Sequence, residues 1–260
     1  MRNFSGAENW VRKHFFIYRV VRRAAPFLCR FLALEDGFEV LKFITPAGSH
    51  YVALDIGAND GTSIRMIRKF QKSVRIIAFD PITRPRFNLR NVDFKEFALS
   101  NVKERFSLFT PIVHGKTLTQ YSSFHSEKLR RQIEHDLGLE AADYGIVEKS
   151  VEAHTLDSLD LQPFFVKIDV EGAEIAVLQG SFATVDKHLP VILVEIQNLK
   201  TYKAISGELY KHDYVCVSLE PRKNIRNDKI RSNIIAEYRN SQNNYVWIPN
   251  KDSPSWSFIQ

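Results

Sequence analysis

At 260 residues, with 44% hydrophobic and 12% aromatic side chains, the chain suits one domain with extensions and is too short for two ordinary ones. Its two cysteines, Cys29 and Cys216, each sit inside an apolar stretch, which excludes a disulfide framework and reads as small buried hydrophobes in a reducing cytoplasm. The net charge of +6 is uneven, and no apolar run reaches the roughly 18 residues of a membrane span, so the sequence predicts neither a span nor export.

Residues 1–50 read as a basic extension. Val11 to Arg30 holds Arg12, Lys13, Arg19, Arg22, Arg23 and Arg30 without an acid. Wound as a helix, it carries Arg12, Arg19, Arg23 and Arg30 on one face and Ile17, Val21, Ala24 and Leu28 on the other, with a break at Pro26. Two readings stay open. The apolar face packs on the domain, or residues 11–30 meet anionic lipid or a lipid-linked substrate at the inner face of a membrane. A second basic patch, Arg222 to Arg231, has no aromatic interleaving, so nucleic acid is not expected.

From residue 51 to 260 the pattern is that of one α/β domain, with apolar runs alternating with helical segments as in a parallel sheet. Strands are predicted at Tyr51 to Asp55, Val74 to Phe79 and Asp93 to Ala98, with a helix over Thr62 to Lys72 capped by Thr62. Residues 105–152 weaken into a possible strand, Arg105 to Phe109, and a charged helix from Glu127 to about Leu137, a length expected of a lid or substrate insertion. A strand at Val151 to Thr155 and a turn at Leu156 to Leu159 lead into an apolar run, Phe164 to Ile168. A helix over Ile175 to Leu178 should end with Gly180 at C′. Pro190 to Glu195, Tyr214 to Leu219 and Tyr245 to Pro249 complete the sheet.

Chemistry concentrates just after these runs. Leu54-Asp55-Ile56-Gly57-Ala58-Asn59-Asp60-Gly61 follows the first strand, and Asp80 ends the second. Gly57 and Gly61 permit a sharp turn and close approach to a ligand, while Asp80 stands where a carboxylate can grip ribose hydroxyls. A pyrophosphate needs Gly-x-Gly-x-x-Gly, but here Asn59 replaces the second glycine and Asp60 would repel phosphate. The motif instead suits S-adenosyl-L-methionine, with its amino group and sulfonium. Asp55, Gly57, Asn59 and Gly61 should bracket its amino-acid end, and Ala98 with Leu99 its adenine.

Several blocks together resemble the FkbM-type methyltransferase family: residues 54–61, Phe-Asp-Pro at 79–81, Ala-Leu-Ser-Asn at 98–101, Thr-Leu-Asp-Ser-Leu at 155–159, Val-Lys-Ile-Asp-Val-Glu-Gly-Ala-Glu at 166–174 and Val-Ile-Leu-Val-Glu-Ile at 191–196. Asp80 stands where the family often has glutamate, and Asn101 where it often has aspartate. The resemblance implies a Rossmann-like fold with a seven-stranded, mostly parallel sheet whose last strand is antiparallel. It also implies S-adenosylmethionine as donor and commonly O-methylation of sugars, glycans or other natural products.

Methyl transfer to a hydroxyl needs a group that removes the hydroxyl proton. Asp169, Glu171 and Glu195, after the fourth and fifth strands, are the candidates, with Lys167 assigned to the opposite side of its strand. His114, His125 and His154 read as surface or capping residues, and Ser122 and Ser123 as part of a lid over the acceptor. A divalent metal has no His or Cys set behind it. Two alternatives remain, N-methylation of a protein or small amine, and a non-catalytic module that binds a membrane or a partner.

Overall fold

A computed structural model describes residues 37–46, 48, 50–84, 90–217 and 244–250. The basic segment 11–30, Cys29 and the patch from Arg222 to Arg231 lie outside the described residues. In chain order the elements are β1 (Val52–Ile56), α1 (Thr62–Phe70), β2 (Arg75–Phe79), β3 (Val92–Lys95), β4 (Ala98–Leu99), β5 (Glu104–Val113), β6 (Lys116–Thr117), α2 (Ser126–Leu137) and β7 (Tyr144–His154). They continue with β8 (Pro163–Ile168), α3 (Glu174–Gln179), α4 (Phe182–His188), β9 (Val191–Glu195), α5 (Leu199–Lys211), β10 (Tyr214–Val217) and β11 (Asn244–Pro249).

Seven strands form the main sheet in the order β3-β2-β1-β8-β9-β11-β10. All run parallel except β11, which is antiparallel to both its neighbours. β1 is buried along its whole length, as a central strand covered on both faces must be. Val52, Leu54 and Ile56 pack with Val166, Ile168, Ile192 and Val194 under α3, α4 and α5. Ala53, Phe165, Val191 and Leu193 face the other way, against α1 and the turn Phe38–Phe43. The chain runs outward from β1 through β2 to β3 and returns to β8 on the other side of β1. That reversal opens a crevice beyond the carboxyl ends of β1 and β8, where ligands of such sheets bind.

The strand expected over 105–109 and the helix expected over 127–137 are present, and residues 105–152 are more ordered than these two alone. β5 and β7 pair antiparallel over ten residues and form, with β4 and β6, a second sheet in the order β4-β7-β5-β6. α2 packs Leu129 and Ile133 against Val113, Leu118 and Tyr144. The expected strand over 93–98 is likewise two strands, because β3 joins the main sheet while Ala98 and Leu99 pair with Ala153 and His154 in the second.

Two helix ends also differ from expectation. Thr62 does not cap α1; the Asp60 carboxylate accepts from both the Thr62 amide (3.1 Å) and its hydroxyl (2.9 Å). Gly180 is not left-handed, with φ −87°. Glycine is needed there for space, since a Cβ would lie 2.0 Å from the Ser100 carbonyl oxygen. Cys216 is a buried free thiol whose pKa burial pushes up to about 12. Among the described residues, no helix is long and apolar enough to cross a membrane.

Candidate functional site

The turn after β1 is held by backbone on two sides. Gly57 and Ala58 donate their amides to the Phe79 carbonyl at 2.9 and 3.1 Å, and the Asp169 amide donates to the Ile56 carbonyl at 3.0 Å. Gly57 has φ +84°, and a Cβ on it would fall 1.7 Å from the Asp169 carbonyl oxygen. Only glycine lets the ends of β1 and β8 approach this closely. Gly61, at φ +82°, turns the chain into α1.

Asp80 faces that turn from the end of β2. One carboxylate oxygen accepts the Asn59 amide at 2.9 Å; the other accepts the amides of Ile82 (2.8 Å) and Thr83 (2.7 Å). Asp80 is buried, which raises its pKa, and the three amides pull the other way. The side chain therefore ties the β1 turn to the loop after β2 and keeps acceptor capacity toward the crevice.

Acids cluster at the ends of β8 and β9. Lys167, only 3% exposed, places its ammonium 2.9 Å from Asp169 Oδ2 and 3.9 Å from Asp55 Oδ1. This corrects its assignment to the far side: residues two apart on a strand share a face, so Lys167 and Asp169 point the same way. Asp55 is fully enclosed. Its Oδ2 accepts from Ser63 Oγ at 2.6 Å, its Oδ1 has no hydrogen bond, and burial raises its pKa against the opposing pull of Lys167. Burial, then the Asp169 charge, pushes Glu195 up to about 8. Glu171 is raised by the same two causes, and its carboxylate accepts from Gln197 Nε2 at 2.8 Å.

These groups surround a cleft of about 710 Å³, counting the part open to solvent. Gly57, Asn59, Asp80, Ala98, Leu99, Asp169 and Glu171 all line it. Asp55, Gly61 and Glu195 stand outside the lining: Asp55 is walled in beneath β1, Gly61 opens α1, and Glu195 contacts Asp169 from β9. Leu108 of β5 and, from the segment between β6 and α2, Thr119, Ser122 and Phe124 complete the lining. Ser122 bonds Thr110 across 2.9 Å and is buried, so it belongs to a packed wall.

The methyltransferase FkbM domain model matches residues 55–242. The chain belongs to the FkbM methyltransferase family. Among solved structures, one similar to it is the methyltransferase FkbM of Methylobacillus flagellatus KT (TM-score 0.46, 13% identity, 83% of this chain and 48% of that one). Another is the precorrin-6y C5,15-methyltransferase of Geobacter metallireducens GS-15 (TM-score 0.36, 19% identity, 80% and 82%). The chain thus spans about half the length of the first. A search of curated proteins finds no match.

In this family member several residues at the site carried no advance signal. Lys167 was legible as a lysine in an apolar run, but its role as the cation between Asp55 and Asp169 emerges only in three dimensions. Thr119 and Phe124 reach the cleft by non-local folding of the second sheet. His114 is exposed at the β5–β6 turn, and His154 pairs with Glu152 at 2.8 Å and packs on Phe97, which lines the cleft. Among the described residues, no group of three or more His, Cys, Asp or Glu is arranged to hold a metal.

Proposed function

We propose that this FkbM-family chain uses S-adenosylmethionine to methylate a hydroxyl of a sugar, glycan or natural-product acceptor. One observation carries the reading: among the described residues the crevice is lined by Asp80, Asp169 and Glu171 and by no lysine, arginine or histidine. Such a lining opposes a pyrophosphate and attracts a cofactor with ammonium and sulfonium charges. Gly57 and Asn59 would hold its amino-acid end, Asp80 its ribose hydroxyls, and Ala98 with Leu99 its adenine. When bound, S-adenosylmethionine supplies an electrophilic methyl group, the bonding pair staying on sulfur as S-adenosylhomocysteine forms.

The chain's own residues then manage the proton. Glu195, pushed up to about 8 by burial and then by the Asp169 charge, holds a proton near neutral pH and hydrogen-bonds Asp169, which also lies 2.9 Å from the Lys167 ammonium. Asp169, which lines the cleft, accepts the proton that the acceptor hydroxyl loses.

Calorimetric titration with S-adenosylmethionine and S-adenosylhomocysteine tests the cofactor. Micromolar binding supports the proposal; no binding to folded protein refutes it and favours a non-catalytic module. Asp169→Asn should then abolish turnover while sparing cofactor binding, and full turnover in that variant would remove Asp169 from the reaction.

A further inference from the structure

We propose that the second sheet and α2 form a clasp on the cofactor crevice, and that the contacts of Lys128 and Lys149 with two backbone carbonyls set the rate at which cofactor and product pass. The inference rests on the methyltransferase reading above and adds a gate to the same site.

The second sheet is built as a body of its own. Val113, Leu118 and Tyr144 pack with Leu129 and Ile133 of α2 into a core that is separate from the two clusters flanking the main sheet. Its attachment lies at one edge. Ala98 and Leu99 of β4 pair with β7, Leu99 is buried in the core of the main sheet, and the Ser100 carbonyl abuts Gly180 after α3. A body with its own core, joined along one edge, can turn as a unit about the few residues at that edge.

Away from that edge it closes one side of the crevice. Leu108, Thr119, Ser122 and Phe124 form this wall, and the turns after β1, β2 and β8 form the facing one. Polar contacts cross to each of the three turns. Thr119 Oγ1 donates to Asn59 Oδ1 at 3.5 Å after β1, Lys149 Nζ to the Pro81 carbonyl oxygen at 2.9 Å after β2, and Lys128 Nζ to the Glu171 carbonyl oxygen at 3.4 Å after β8. Gly172 leaves room for the last of these, since a Cβ there would fall 2.6 Å from Lys128 Nζ. Asn59, Pro81 and Glu171 all line the crevice, so the clasp grips the very turns that would enclose a ligand. Both lysines are exposed, where a hydrogen bond to a carbonyl is weak enough to break within a turnover. Each contact joins protein to protein, so its loss eases passage inward and outward alike.

Surface plasmon resonance on the full chain, with S-adenosylhomocysteine as the analyte, tests this. Lys128→Met and Lys149→Met should each raise the release rate about threefold and the double variant about tenfold, the net worth of one and of two exposed hydrogen bonds. Association should quicken in step, leaving the equilibrium affinity unchanged. A contact that merely shaped the bound site would instead lower affinity, by raising release alone. Lys103→Met, which removes the same charge from the β4–β5 turn, should match the wild type. Unchanged rates in the double variant, release that quickens without association, or the same change in Lys103→Met would each overturn the clasp. No binding to the wild type would defeat the cofactor reading and the clasp with it, a result distinct from unchanged rates in the variants.

Discussion

Three glycine-to-alanine variants separate two reasons for glycine and so test how the β1 turn builds the site. Gly138 has φ +62° with nothing within 4 Å of an added Cβ; Gly180 has an ordinary φ, but its Cβ would meet the Ser100 carbonyl at 2.0 Å; Gly57 combines φ +84° with a Cβ 1.7 Å from the Asp169 carbonyl. Gly138→Ala therefore bears only the left-handed penalty, about 1 kcal/mol. Gly180→Ala bears only overpacking, against backbone that yields poorly, about 2–3 kcal/mol. Gly57→Ala bears both, about 3–5 kcal/mol. Real Cβ contacts essentially never fall under 3.0 Å, so in Gly57→Ala the 1.7 Å contact must open by at least 3.0 − 1.7 = 1.3 Å. A shift of that size at Asp169 should cost about 100-fold in turnover even where the protein folds. Urea unfolding gives the stabilities and calorimetry the cofactor affinity. If Gly57→Ala matches Gly138→Ala in both, the close approach of β1 and β8 is not what shapes the cleft.

Asp80→Ala should weaken S-adenosylmethionine binding by about 100-fold, the worth of two charge-assisted hydrogen bonds of roughly 1.5 kcal/mol each; unchanged affinity in a folded sample removes Asp80 from the cofactor site. Lys167→Met should destabilise by about 3 kcal/mol, because it strands the enclosed Asp55 carboxylate; a neutral result by urea unfolding would mean that Asp55 is protonated in the wild type. For pH, Asp55, Asp80, Glu171 and Glu195 all have folded pKa values raised above the usual carboxylate range. The folded state then binds more protons than the unfolded one above pH 4.5, so stability should fall as pH rises from there to about 8. Glu195 alone contributes at most about 1.4 kcal/mol per pH unit, less for its partial solvation, and Glu195→Gln should flatten the slope. A slope of opposite sign would show that these acids are ionised in the folded protein, and one that Glu195→Gln leaves intact would place the extra protons on groups other than Glu195.

What could be read in the sequence divides along a physical line. β1, β2, β8 and β9 are buried on both faces, so each shows as an apolar run that needs no knowledge of its neighbours, and the acids just past them follow directly. β5 and β7 are different. Glu104, Arg105, Glu148, Lys149, Ser150 and Glu152 are exposed, which blurs the alternation that announces a strand. Their pairing joins residues up to 49 apart, as Glu104 with Ala153, a non-local fact that periodicity does not carry. Gly180 shows the same limit from the other side: its place after α3 fits a helix-ending glycine, yet its cause is a carbonyl 80 residues earlier, at Ser100. Lys167 was within reach, because strand alternation alone puts it with Asp169.

The charge balance at β8 and β9 explains how a base persists there near neutral pH. Among the described residues Asp55, Asp169 and Glu195 share one buried ammonium, Lys167, so all three cannot be ionised without leaving negative charge poorly solvated. Glu195, pushed up to about 8 by burial and then by the Asp169 charge, holds a proton there near neutral pH. Asp169 is also the member of that pair that lines the cleft, while Glu195 stands outside the lining. Removing the Glu195 carboxyl proton by alkaline pH would remove the donor of the hydrogen bond that orients Asp169. Turnover should therefore turn over with pH near the value at which Glu195 ionises, and in Glu195→Gln, which keeps a donor toward Asp169 at every pH, that limb should disappear. A limb that survives in Glu195→Gln would place the titrating group elsewhere.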